Sequence, residues 1–156
     1  MSAGQRFRDW KDSQEPARQL GLQLHSMEVS SAEKYEIAFH DAVKARSGAV
    51  LITQATLVAA NSPRIINLAT KHRLPTISTR EEYVTLGGLM SYAADEAEWV
   101  KRAAVMVDKI LRGAKPSELP VEQPKKFVLV INMKTAKQID LTIPPNVLAR
   151  ADKVIK

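Results

Sequence analysis

Phe7, Trp10, Ala17 and Leu20 recur at helical spacing with charged residues between them, which predicts an amphipathic helix stopped by Gly21. Leu22, Leu24, Met27 and Val29 follow as a short extended run. The string Ser30-Ser-Ala-Glu33 has capping-box spacing, in which the serine hydroxyl accepts from one free amide and the glutamate from another. It predicts a helix running to about Arg46, with Ile37, Ala38, Ala42 and Val43 inward.

Ala49 to Ile52 is continuously apolar and too short for a helix, as expected of a parallel strand buried on both faces. Ser62-Pro63 places a cap and then a proline at the first helical position, opening a helix to His72 that carries Ile65, Ile66, Leu68 and Ala69. Leu74 to Thr79 reads as a strand with its proline at the entry. Thr79 and Glu82 repeat the capping-box spacing and open a short helix, which the Gly87-Gly88 turn ends by freeing the backbone at positive φ.

Leu89 to Tyr92 is a further strand, and Val100, Ala103, Ala104, Val107, Ile110 and Leu111 then form one stripe of a long helix. Gly113 and Pro116 end it in the expected order. Lys115 to Pro124 is proline-rich and aperiodic, as a surface connection would be. Phe127 to Ile131 is the strongest strand, a short helix runs from Lys134 to about Ile139, and Pro144-Pro145 opens a last helix containing Val147, Leu148, Ala151 and Val154. The alternation of strands and helices is that of an α/β protein, with a mainly parallel sheet and flanking helices.

Composition narrows the function. A chain of 156 residues with 45% hydrophobic content can bury a core as one domain or two small ones. The absence of cysteine excludes a thiol nucleophile, a disulfide framework and a zinc ribbon. The net charge of +6 is spread along the chain, with 11 basic and 9 acidic residues in 1–86 against 12 and 8 in 87–156, so neither part is a nucleic-acid-binding arm. Aromatics at 5% are too few for rows of base-stacking platforms. No run reaches the roughly 20 apolar residues of a membrane span. The first residues, through Trp10, contain neither a leader-length apolar run nor a lipid-attachment cysteine, so the sequence as written is expected to be cytoplasmic.

No Walker loop, G-x-G-x-x-G, G-x-S-x-G or H-E-x-x-H motif is present, and His25, His40 and His72 lie on separate predicted elements without metal-ligand spacing. Neither catalysis, a metal nor a cofactor is expected. Ligands of open parallel sheets sit at the carboxyl ends of the strands. Thr53, Gln54 and Thr56 follow one predicted strand end, Ser78, Thr79 and Arg80 close the next, and Ser91 and Tyr92 follow the glycine pair. These hydroxyls, an amide and one cation suit a small polar ligand, although each also has an ordinary role as cap, packing group or solvated charge.

Arg80-Glu-Glu-Tyr-Val84, Gly87-Gly-Leu-Met-Ser-Tyr92, Val107-Asp-Lys-Ile-Leu-Arg-Gly-Ala-Lys-Pro116, Leu119-Pro-Val-Glu-Gln-Pro124, Phe127-Val-Leu-Val-Ile-Asn132 and Leu141-Thr-Ile-Pro-Pro145 through Leu148-Ala-Arg-Ala-Asp152 form an ordered series. It closely resembles the C-terminal end of a family of ABC-transporter substrate-binding proteins. Leu68-Ala-Thr-Lys-His-Arg-Leu-Pro75 fits the same family, and the resemblance spans about residues 15–156. It implies a type I periplasmic-binding-protein-like fold, incomplete relative to the full two-lobe form. Residues 1–86 would be most of the second lobe, and 87–156 the returning segment that completes the first, able to dock on a partner chain. The family has glycine after Met-Ser-Tyr where Ala93 and Ala94 stand here, so a close backbone approach at that loop is not implied.

By that resemblance the chain is a truncated solute receptor without catalysis, binding a small organic solute such as an amino acid between lobes and serving an ABC-transporter permease in the periplasm. Its binding residues would be Thr53, Gln54, Thr79, Arg80, Ser91 and Tyr92, with Arg80 offering charge to a carboxylate and Tyr92 a ring to an apolar part. A sheet lacking a neighbouring strand exposes unpaired backbone, so a homo-oligomer is expected, formed by exchange of residues 87–156 or by edge pairing. The alternative is a structural or regulatory remnant that binds no solute and whose oligomer is the functional form.

Overall fold

The computed structural model describes the backbone of residues 3–53 and 56–156, and side chains from residue 9 onward within those ranges. Its centre is one five-stranded sheet in the order β1(Val50–Ile52), β2(Thr76–Ser78), β3(Met90–Ala94), β4(Phe127–Asn132), β5(Lys153–Ile155). β1, β2 and β3 run parallel, β4 is antiparallel to β3, and β5 is parallel to β4. The helices are α1(Ala3–Gln19), α2(Tyr35–Lys44), α3(Thr56–Ala60), α4(Ser62–Lys71), α5(Glu81–Thr85), α6(Glu96–Leu111), α7(Met133–Gln138) and α8(Pro145–Leu148). None is long and apolar enough to cross a membrane.

Apolar groups collect in two clusters. In the first, Val50 and Ile52 meet Phe39 and Ala42 of α2, Ile65, Ile66, Leu68 and Ala69 of α4, and Tyr83 of α5. In the second, Ile131 meets Ala136, Ile139 and Ile143, with Met90, Leu129, Val147 and Leu148 packed against them. The β3–β4 ladder, with five registered pairs from Met90↔Ile131 to Ala94↔Phe127, joins the strands beneath the two clusters.

Several sequence expectations change in the folded chain. Gly21 does stop α1, at φ 67°, but residues 22–29 form no strand. Leu22 and Leu24 are exposed there, while Met27 and Val29 rest on the first cluster, so side-chain packing holds this run without a ladder. The Ser30–Glu33 cap is replaced by a 3-10 turn at Ala32–Lys34 entered from Ser31, whose side chain makes no capping bond. α2 turns Tyr35, Phe39 and Ala42 inward and leaves Ile37 and Val43 exposed, because the two rings at i and i+4 fill the space against α4.

β1 is buried on one face only: Leu51 is 53% exposed, since the second cluster lies over β3 and β4 and does not reach it. Ser62 begins α4 but does not cap it, and its hydroxyl instead donates back to the carbonyls of Val58 and Ala59 in the short helix α3. Before α5 the capping position is Arg80, and the Ser78 hydroxyl accepts from the Arg80 amide. The last expected helix is cut to α8, and Val154 belongs to β5, where it pairs with Ile131. α6 has the expected span, yet its apolar stripe contains no buried residue.

The two glycines after α5 act differently. Gly87 has φ 106°, the left-handed region that favours glycine, and its carbonyl accepts from the Thr135 hydroxyl at 2.8 Å. A Cβ on Gly88 would collide with the Tyr83 ring and come within 2.8 Å of the Tyr83 carbonyl oxygen. Asn132 secures the same region from the other side. Its side chain caps α7 by accepting from the amides of Lys134 and Thr135, and its amide group donates to the Val84 carbonyl at 3.4 Å.

Gly88→Ala is expected to destabilise the fold by about 1–3 kcal/mol, read as a lower urea midpoint. An unchanged midpoint would show that both the Tyr83 ring and the backbone at its carbonyl yield freely. Burial, partly offset by the Thr76 hydroxyl, pushes the Tyr83 phenol up from 10.0 to about 12. The folded state therefore holds this proton where the unfolded state has released it, so stability is full below the unfolded value and falls as pH rises through the folded one. Tyr83→Phe keeps the ring and should flatten that alkaline loss in melting curves taken across the interval; an unaltered slope would assign the loss to other groups.

Candidate solute groove

The carboxyl ends of β1 and β2 lie side by side because Ile52 and Ser78 are ladder partners. Beyond them the chain diverges, through Thr53 toward α3 on one side and through Arg80 into α5 on the other. The divergence opens a groove of about 300 Å³. Polar groups along it come from Thr53, Thr56, Ser62, Ser78, Arg80 and Glu82, and apolar surface from Ile52, Val58, Tyr83 and Leu86. A mixture of few convergent polar groups with apolar walls is what orients a small organic ligand.

Arg80 and Glu82 carry the charge in this groove, and they form an ion pair at 2.7 Å with both side chains about half or more exposed. Two residues apart at the start of α5, they present a cation and an anion side by side. Tyr83, with its pKa pushed up to about 12 by burial, remains a neutral phenol throughout the physiological range.

Of the residues expected from the sequence, Thr53 and Arg80 line the groove. Thr79 is exposed beside it and does not line it. Gln54 lies outside the described residues. Ser91 is fully buried, in register with Ser78, and its hydroxyl has no hydrogen-bond partner. Tyr92 points to the opposite face of the sheet from Ser91, as strand alternation requires, and stacks on Phe127 at 5.4 Å between ring centroids. Among the described residues the groove thus brings together two of the expected set, Thr53 and Arg80, and adds Ser62 and Glu82, which the sequence reading did not place in a site. Glu82 had been assigned to a helix cap, and its place two residues after Arg80 was the available sign that the charge would be paired.

A second, smaller hollow of about 170 Å³ lies between α6 and residues 122–126. Here Asp95 caps α6 by accepting from the amides of Ala97 and Glu98 and also accepts from the Lys126 ammonium at 2.7 Å. Those bonds, Lys126 foremost, hold the Asp95 carboxyl below its usual range. Arg102 is engaged by Glu122 and Glu98, so both acid–base sets close the connection onto the helix.

Residues 8–155 match the family of ABC transporter substrate binding proteins. An uncharacterized protein of Rickettsia prowazekii, RP367, is 25% identical over 130 residues, which are 83% of this chain and 43% of that protein. A conserved domain protein from Vibrio cholerae is 28% identical with a TM-score of 0.78, over 88% of this chain and 46% of the other. An ABC domain from Streptococcus pneumonia crystallised in complex with L-Trp is 24% identical with a TM-score of 0.81, over 96% and 52% respectively. The ligand-free, open structure of CD0873, a substrate binding protein with adhesive properties from Clostridium difficile, shares the fold at 18% identity with a TM-score of 0.76. The chain spans about half the length of each of these relatives. With a match that extends over nearly all of its residues and a mostly parallel sheet shared with those structures, the chain belongs to the ABC transporter substrate binding protein family.

Proposed function

We propose that the chain supplies one wall of a solute-binding cleft and that the solute is a small zwitterion such as an amino acid. The observation that carries this reading is the Arg80–Glu82 pair on the groove at the carboxyl ends of β1 and β2. An α-amino acid presents a carboxylate and an ammonium a few ångströms apart. Arg80 matches the first through charge-assisted hydrogen bonds and Glu82 the second, so one ligand replaces the internal ion pair without leaving either charge unmatched. The hydroxyls of Thr53, Thr56, Ser62 and Ser78 complete the polar contacts, and Val58 and Leu86 receive an apolar side chain.

The amino-acid ligand of the pneumococcal neighbour supports the same chemical class for this groove. In this reading the remainder of the cleft comes from the half of the family fold that the chain does not span. The closed, loaded form is the one presented to an ABC-transporter permease on the outer side of the membrane. No reacting group is required, and none of the roles assigned here is catalytic.

Melting of the chain with each common amino acid in turn should show a concentration-dependent rise for at least one of them, because a ligand that binds only the folded state stabilises it by mass action. Arg80→Ala should weaken that ligand about tenfold to a hundredfold, the equivalent of losing roughly 1.5–3 kcal/mol of charge-assisted hydrogen bonding. The methyl ester of the same amino acid should lose the same factor on the unaltered chain. A flat response across the panel, or an affinity indifferent to Arg80, overturns the reading.

A further inference from the structure

Among the described residues, the amides and carbonyls of residues 23–29 make no hydrogen bond within the chain. Met27 and Val29 nevertheless rest on the first cluster while Glu28 and Ser30 are exposed, which is the two-residue period of an extended chain. β1 carries a second open row. The Val50 amide donates to the Pro75 carbonyl beside β2, so by strand alternation the amide and carbonyl of Leu51 point the other way, where β1 has no neighbour. Chain direction puts both rows on one side. α2 and α4 pack on the sheet face that carries Val50 and Ile52. α4 lies in the crossover from β1 to β2, and α2 joins residues 22–29 to β1. Right-handed crossovers over one face advance the strands in one direction, so residues 22–29 lie beyond the edge of β1 that faces away from β2.

We infer that the space between these two rows is a slot for one further strand, parallel to β1 and hydrogen-bonded to Leu51 on one side and to residues 23–29 on the other. Such a strand stands about 4.8 Å from each wall. β1 alone is too short to hold it, and the longer run opposite supplies the remaining main-chain bonds. The strand that fits is apolar on both faces. One face meets the cluster that contains Val50 and Ile52, and the other lies beside Leu51, which is 53% exposed without it. Its source is the half of the family fold that this chain does not span. The solved relatives match nearly all of this chain while about half of their own length lies outside the match. A second copy is the poorer donor, because β1 to β5 are already paired in its own sheet and its residues 22–29 would leave only by drawing Met27 and Val29 out of its own core.

The slot stands apart from the solute reading, since neither Leu51 nor residues 23–29 line the groove. Its test is backbone hydrogen exchange on the full chain, with overlapping synthetic peptides that tile the part of the Vibrio cholerae relative outside the match. In the free chain the amides of Leu51 and residues 23–29 should exchange fast and those of β2 slowly. One contiguous set of peptides should bind and slow exchange at Leu51 and at residues 23–29 together, by about tenfold or more. Leu51→Pro removes an outward amide that the free chain does not use, so it should keep the fold and lose that binding, whereas Leu51→Ala keeps the amide and should keep the binding. Should Leu51→Pro fail to fold, the two-sided exchange footprint decides by itself. The inference is overturned if no peptide binds, or if a bound peptide protects only one of the two rows. Protection that appears on concentrating the chain alone overturns it as well, since a second copy then fills the slot.

Discussion

The antiparallel pairing of β3 with β4 is the constraint on which the rest of this structure depends. β1, β2 and β3 run in one direction and are separated by helices, as parallel strands must be. β4 and β5 form a second parallel pair that runs the other way. Among the described residues the β3–β4 ladder is the strand pairing that joins the two sets, and across it the clusters centred on Phe39 and on Ile131 meet. The chain supports that seam with polar contacts at its buried end: the Asn132 amide donates to the Leu89 carbonyl, the Asn132 side chain reaches Val84, and Thr135 holds the Gly87 carbonyl. The Leu89 carbonyl, on a buried residue, gains its partner there, while the Val84 carbonyl also accepts from the Gly87 amide.

The parts of the fold legible in the sequence were those where the local signal was long and continuous. Phe127 to Ile131 is apolar throughout and lies in the strand as read, and α6 carries its expected stripe up to the stop at Gly113. Legibility failed where two local solutions were close in energy and tertiary contacts chose between them. The serine and threonine capping boxes gave way to a 3-10 turn and to the hydroxyl of Ser78, a residue earlier than Thr79. On α2 the periodic pattern allowed two faces, and the volumes of Tyr35 and Phe39 selected one. The run from Leu22 to Val29 has the apolar content of a strand, but a strand also needs a registered partner, which composition does not contain.

The groove was legible to the level of the strand ends. Parallel topology predicts that ligands meet residues just past β1 and β2, and Thr53 and Arg80 are there. Which neighbours converge with them depends on how α3 and α5 turn away from the sheet, and that brings in Ser62 and Glu82 while sending the Tyr92 ring to the other face, against Phe127. The Arg80–Glu82 pair also sets the electrostatic character of the empty groove. Its two charges largely cancel at a distance, so the groove discriminates by local geometry and would do little to steer a singly charged ion from afar.

The outer edge of β1 is unpaired among the described residues, and β1 is only Val50 to Ile52. Open edges are where cross-β growth begins, because each exposes a row of unsatisfied amides and carbonyls to any extended chain. Steric-zipper segments are six or seven residues long, whereas β1 has three residues with the bend at Gly48 close before it. A visiting strand would gain too few hydrogen bonds here to offset the cost of ordering itself. The brevity of β1 therefore works against templating of amyloid at this edge, a protection that a longer extended run would weaken.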